Sequence, residues 1–145
     1  MENKLVKKAV AFVIYNEDRS KFLVVQRPDD DEDLPNMWGL PAGSQKGGET
    51  WEDVVLRSGR EKLGVELEVV ELIGEDKLDR KEYILHMREY EAKIIKGVPE
   101  APQNVEGVTQ YKDCRWGTHE DIIEIAKRGS LCTRIYLSSV GKTWE

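Results

Sequence analysis

Cysteine is nearly absent from this chain: among 145 residues there are only Cys114 and Cys132. Their separation fits no metal-ligand spacing and no disulfide framework, so they read as ordinary buried thiols of a protein kept in a reducing compartment. Histidine is equally scarce, and His86 and His119 have no metal-ligand spacing and receive no role. No apolar run approaches the roughly 20 residues that a membrane-spanning helix requires, which excludes that class and leaves no membrane partner to expect. A lysine-rich start followed by Ala9 to Tyr15 has the outline of a secretory leader, but the run is short and ends in Asn16-Glu17-Asp18-Arg19 without a small-residue cleavage site. We therefore expect a cytoplasmic protein. Positive charge is in deficit too. A net charge of -6 argues against a nucleic acid polymer as partner, because such binding relies on clustered cations that displace counterions. A small anion remains open, since one local group of donors holds a phosphate whatever the overall charge.

What the chain does contain, 39% hydrophobic and 34% charged residues, is the mixture of a globular protein, and its length suits one domain over residues 1–145. Lys8 to Tyr15 and Phe22 to Arg27 are β-rich runs around Asn-Glu-Asp-Arg-Ser, which predicts a hairpin. Asp29 to Asp33 is an unbroken acidic run ending near Pro35 and reads as a solvated loop. Trp38 to Gly43 and then Ser44 to Gly48 form a glycine-bearing segment whose backbone can approach a ligand closely. Thr50 opens a helix through the capping pattern Thr50-Trp51-Glu52-Asp53, and Gly64 closes it. Val65 to Ile73 and Tyr83 to Ile95 predict strands with a turn over Gly74 to Arg80. Gly97 to Gly107 is a loop and Val108 to Trp116 another strand. Thr118 caps a helix that ends at Gly129, and Leu131 to Val140 forms a last short one. Strands before and after a central helix, with helices at the end, predict a mixed sheet between helical layers, an α/β or α+β sandwich.

The segment from Gly43 to Val65 resembles the Nudix box: Gly, five residues, Glu, seven residues, Arg-Glu, an aliphatic, any residue, Glu-Glu, any residue, Gly, an aliphatic. Gly43, Glu49, Arg57, Glu61, Gly64 and Val65 fall in that register. The approach Trp38-Gly39-Leu40-Pro41-Ala42 is similar to the family's as well. The resemblance implies the Nudix α/β/α sandwich with a mixed β-sheet as a single domain, and homodimers are common among relatives. It implies a hydrolase cleaving the pyrophosphate of a nucleoside diphosphate linked to another group, with Mg2+ or Mn2+ as cofactor. Glu61, Arg57 and Glu49 would be its catalytic residues, and Glu61 its metal ligand. Lys62, Arg60, Gly43, Trp38 and Arg27 would face the substrate, although Trp38 also reads as core.

Three positions depart from the pattern: Ser58 stands for Glu, Gly59 for an aliphatic and Lys62 for the second Glu of the pair. Positions 58, 61 and 62 share a helix face at spacings of three and four. Where the family's pattern has three carboxylates, this chain has a neutral, a negative and a positive side chain. Hard divalent cations need clustered oxygens, so that face is a poor metal site. Compensating oxygens would come from Glu49, Glu52, the Ala42 carbonyl or the later acids Glu100, Glu106 and Asp113. Lys62 is instead placed to pair with Glu61 or to reach a phosphate. Gly59 costs about 1 kcal/mol against Ala inside a helix, which close approach by a backbone or ligand, or tolerant packing, would offset. An alternative to the hydrolase is a module that binds a nucleotide or diphosphate as a sensor without cleaving it, and a third is a protein-interaction domain on the same scaffold.

Overall fold

The computed structural model describes residues 4–145; Met1 to Asn3, which open the leader-like segment and the expected domain, lie outside the described residues. The order is β1 (Leu5–Ile14), β2 (Phe22–Gln26), β3 (Trp38–Gly39), β4 (Ala42–Ser44), α1 (Trp51–Ser58), β5 (Glu66–Asp79), β6 (Tyr83–Lys96), β7 (Asp113–Gly117), α2 (His119–Lys127) and α3 (Leu131–Ser139). A π-helical turn, Gly59–Leu63, continues α1.

β1 organises the molecule because both its faces are apolar. Val10, Phe12 and Ile14 point into one core with Val54, Val55 and Leu63 of the α1 segment. Ala9, Ala11 and Val13 point into a second core with Ile122, Ile125 and Leu137 of α2 and α3. With about 1.5–3 kcal/mol for each large apolar side chain fully buried, a strand of this composition is stable only between two layers. The main sheet runs β4-β1-β6-β5, with β1 parallel to β6 and antiparallel to β4, and β5 antiparallel to β6. A smaller antiparallel sheet, β3-β2-β7, stands beside it. This is the expected α/β/α sandwich with a mixed sheet. Among the described residues no helix is long and apolar enough to cross a membrane.

Four local expectations are corrected. β1 and β2 do not form a hairpin: they share only the bridge Tyr15↔Phe22, because β4 and β6 flank β1 and β2 pairs with β3 and β7. Gly74 to Arg80 is not a turn. β5 continues to Asp79, and a β-carbon at Gly74 would meet Ile135 Cγ2 at 2.7 Å, so that glycine marks where α3 packs on the strand. The strand expected over Val108 to Trp116 is confined to β7, because Gln110 and Tyr111 turn inward to the site. Finally, Asp31 does not simply face solvent with the rest of the acidic run. It folds back to accept from Arg27 Nη2 at 3.0 Å and from the Leu34 amide at 2.8 Å.

Candidate active site around Ala42 and the α1 segment

The helix that carries the motif starts as its sequence dictates. Thr50 Oγ1 accepts from the Asp53 amide at 3.1 Å, and Asp53 Oδ2 accepts from the Thr50 amide at 3.0 Å, satisfying two first-turn donors reciprocally. Gly64 ends it at φ 70°, a left-handed conformation that glycine adopts without cost. Between them Gly59 is buried, and a β-carbon there would lie 2.6 Å from Leu67 Cδ1. The departure at Gly59 is thus explained by a β5 side chain packing flat on the helix.

Arg57 ties the loop to the helix. Its Nε and Nη2 donate to the two oxygens of Glu49 at 2.8 and 3.0 Å, its Nη1 donates to Glu61 Oε1 at 3.2 Å, and Nη2 also reaches the Ser44 carbonyl at 2.7 Å. The bidentate geometry is one that only a guanidinium supplies. The hydrogen bond from Arg57 holds the Glu49 carboxyl below its ordinary range, and reciprocally the Arg57 guanidinium is held more firmly protonated. Glu49, Arg57 and Glu61, three of the expected site residues, are therefore brought together.

Lys62 follows on the same segment and its Nζ donates to the Ala42 carbonyl at 2.7 Å. Tyr111 Oη donates to the same oxygen at 3.0 Å and accepts from the Ala42 amide at 2.9 Å. Gln110 Nε2 donates to the Glu61 carbonyl at 2.9 Å, so the loop before β7 is pinned across the site. Sequence reasoning missed both residues because their apolar and polar alternation reads as a strand, and what turns them inward is tertiary. Ser58 is fully buried against Gly43, where a β-carbon would overlap its hydroxyl. The serine and the glycine together let the Ala42–Ser44 backbone press onto the helix.

A cavity of about 600 Å³ opens beside this cluster. Its wall includes Ala42, Gly43, Ser44 and Lys62 at one side, Arg27 and Asp31 at another, and Ser130 and Cys132 from the junction of α2 and α3. Arg27 is partly buried, and its Nε has no hydrogen-bond partner among the described residues. Burial would raise the Asp31 carboxyl, but hydrogen bonds from Arg27 and the Leu34 amide outweigh it and hold Asp31 ionised. Burial pushes the Cys132 thiol up to about 11. Of the expected residues, Gly43, Lys62 and Arg27 line the cavity, whereas Glu49, Arg57, Glu61, Arg60 and Trp38 do not. Arg60 points away to Glu66 at 3.6 Å, and Trp38 carries the Arg115 guanidinium over its ring at 4.2 Å. Glu100, Glu106 and Asp113 are exposed and none of them lines it.

The donor set does not fit a divalent cation. Among the described residues no group of three or more His, Cys, Asp or Glu is placed to hold one. Glu49 and Glu61 are engaged by Arg57, Glu52 accepts from Tyr90 Oη at 3.1 Å, and the Ala42 carbonyl is taken by Lys62 and Tyr111. A second cation beside the Lys62 ammonium would also meet repulsion, about 4 kcal/mol for two unit charges 4 Å apart at an effective dielectric of 20 and twice that for a divalent ion.

The NUDIX domain family model matches residues 5–131. The chain belongs to the Nudix family. Solved structures with the Nudix fold superpose on nearly its whole length. The MutT protein from Methanosarcina mazei Go1 does so with a TM-score of 0.73 at 16% identity, over 97% of either chain. The MutT NUDIX hydrolase from Burkholderia pseudomallei gives 0.72 at 22% identity, over 94% of this chain and 99% of that one. The NUDIX hydrolase from Nitrosomonas europaea gives 0.72 at 18%, over 94% and 90%. No curated protein matches the sequence. Against that Nudix background, the box of this chain keeps its loop-to-helix brace, Glu49–Arg57–Glu61, and replaces its metal face by Ser58 and Lys62.

Proposed function

We propose that this Nudix protein is a pyrophosphohydrolase of a nucleoside diphosphate derivative. The observation that carries the reading is the continuity of the cavity: one wall holds the box residues Gly43 and Lys62, and another holds Arg27, Ser130 and Cys132, more than a diphosphate alone would fill. The diphosphate lies at the Ala42–Ser44 end, and the nucleoside extends toward the junction of α2 and α3. Water attacks one phosphorus, a new P–O bond forms and the bridging P–O bond breaks. Glu61 takes the proton of the water: one of its oxygens is held by Arg57, and the other has no protein hydrogen bond among the described residues, with 30% of the side chain exposed.

A second reading is favoured by a specific observation. Lys62 places an ammonium on the Ala42 carbonyl, as a module that holds a diphosphate without cleaving it would require. One screen separates the two. Nucleoside triphosphates, dinucleotides, nucleotide sugars and ADP-ribose are incubated with the protein, with and without Mg2+ or Mn2+, and products are read by mass spectrometry. The hydrolase reading expects cleavage of at least one, reduced about 10²-fold or more in Glu61→Gln, the size of a general-base contribution. No cleavage of any of them would contradict it and leave the binding module.

A further inference from the structure

We infer that the Lys62 ammonium, seated on the Ala42 carbonyl, is a built-in substitute for a divalent ion, so that diphosphate binding is independent of metal. The inference rests on the reading of the cavity as a diphosphate site and adds how that site handles charge.

Three observations converge on it. Lys62 Nζ lies 2.7 Å from the Ala42 oxygen and 5.3 Å from the centre of the Tyr111 ring, while Tyr111 Oη donates to that same oxygen. The ammonium is thus positioned from two sides, and with three donors and one given to Ala42 it can offer the others to a phosphate. It also lines the cavity, on the same wall as Gly43 and Ser44. The second observation is the state of the carboxylates. Glu49 and Glu61 are both drawn onto Arg57, and among the described residues neither forms an ion pair with Lys62, so the ammonium is left to an external anion. The third is Ser58, which is fully buried and packed on Gly43, with its hydroxyl unpartnered among the described residues. The position that carries a carboxylate in the Nudix box thus presents a neutral, buried hydroxyl here. The three features act together: one position carries a neutral side chain in place of a ligand, the carbonyl oxygen is given to an ammonium, and that ammonium brings a positive charge to the place where the diphosphate lies.

The test uses inorganic pyrophosphate as probe and the intact chain. Binding is measured by titration calorimetry in EDTA, and Mn2+ binding without any phosphate is measured by electron paramagnetic resonance. Wild type is expected to bind pyrophosphate in EDTA and to show no tight Mn2+ site. Lys62→Met should weaken pyrophosphate binding in EDTA at least about tenfold with an unchanged circular dichroism spectrum. Lys62→Glu should lose that binding and acquire a Mn2+ site that is lost again when Glu61→Gln is added. Pyrophosphate binding by wild type only in the presence of Mn2+, a tight Mn2+ site in wild type, no pyrophosphate binding under either condition, or an unchanged affinity in Lys62→Met would each overturn the inference. These outcomes are independent of turnover. Cleavage without metal-free pyrophosphate binding would leave the hydrolase standing and remove the inference, whereas metal-free binding without cleavage would do the reverse.

Discussion

At the scale of single residues, Glu89 is the group least at ease in the fold. It lies on β6 opposite Ala11, it is fully buried, and neither carboxylate oxygen has a hydrogen-bond partner among the described residues. Burial raises its pKa well above the ordinary carboxyl value, so the native state holds the proton where the unfolded chain releases it. The sign follows from linkage: stability from this group is fully present below the unfolded-state pKa and is lost as pH rises through the folded-state value. Glu89→Gln keeps the shape and removes the titration. Urea unfolding between pH 5 and 8 should show the variant gaining on wild type as pH rises, and parallel profiles would contradict the account. Nothing in the sequence singles out Glu89, which stands in a strand between Arg88 and Tyr90 like any charged surface position. Its burial comes from α3, which packs on β6 with Cys132 and Tyr136 near it, and that packing has no local signature. Arg57 is the opposite case. The resemblance to the box implied that it joins loop and helix, and its guanidinium does hold both Glu49 and Glu61.

At the scale of elements, the motif helix shows how much of the fold local rules decide. The cap at Thr50 and the left-handed stop at Gly64 were readable from residue types, and both stand as expected. The π-helical turn at Gly59–Leu63 was not, and neither was the packing of Leu67 from β5 onto Gly59. The hairpin expected at the start failed for a related reason: turn residues set where the chain bends, but strand partners are set by which faces must be buried. Gly59→Ala weighs these scales against each other. Alanine gains about 1 kcal/mol in helix propensity, but its methyl meets Leu67, and overpacking typically costs about 1–3 kcal/mol. A net loss of about 1 kcal/mol is expected by urea denaturation. In a Leu67→Ala background the same change should become neutral or stabilising, a coupling that a double-mutant cycle reads directly. Equal effects in both backgrounds would show that Leu67 does not explain the glycine.

At the scale of the whole molecule, the sandwich brings the box, the Arg27 end of β2 and the junction of α2 and α3 around one cavity, and three parts far apart in sequence meet only there. The family was legible from one 23-residue stretch, Gly43 to Val65, because the spacing of a phosphate-handling loop and helix is local. The cavity walls were not, because they belong to loops without such spacing. If the Lys62 ammonium is the cation that neutralises the ligand, as inferred, ligand binding should stabilise the native state as strongly in EDTA as in Mg2+. With the nucleotide that binds best, at 100 times its Kd, the gain is about 2.7 kcal/mol, readable as a rise in Tm. A rise confined to Mg2+ would contradict the charge assignment. The most direct measurement is a crystal soaked with Mn2+ and pyrophosphate, with diffraction collected at the manganese absorption edge. The account predicts Lys62 Nζ against a pyrophosphate oxygen and no anomalous peak beside the Ala42 carbonyl. A manganese peak bridging that carbonyl and Glu61, with Lys62 swung away, would contradict it.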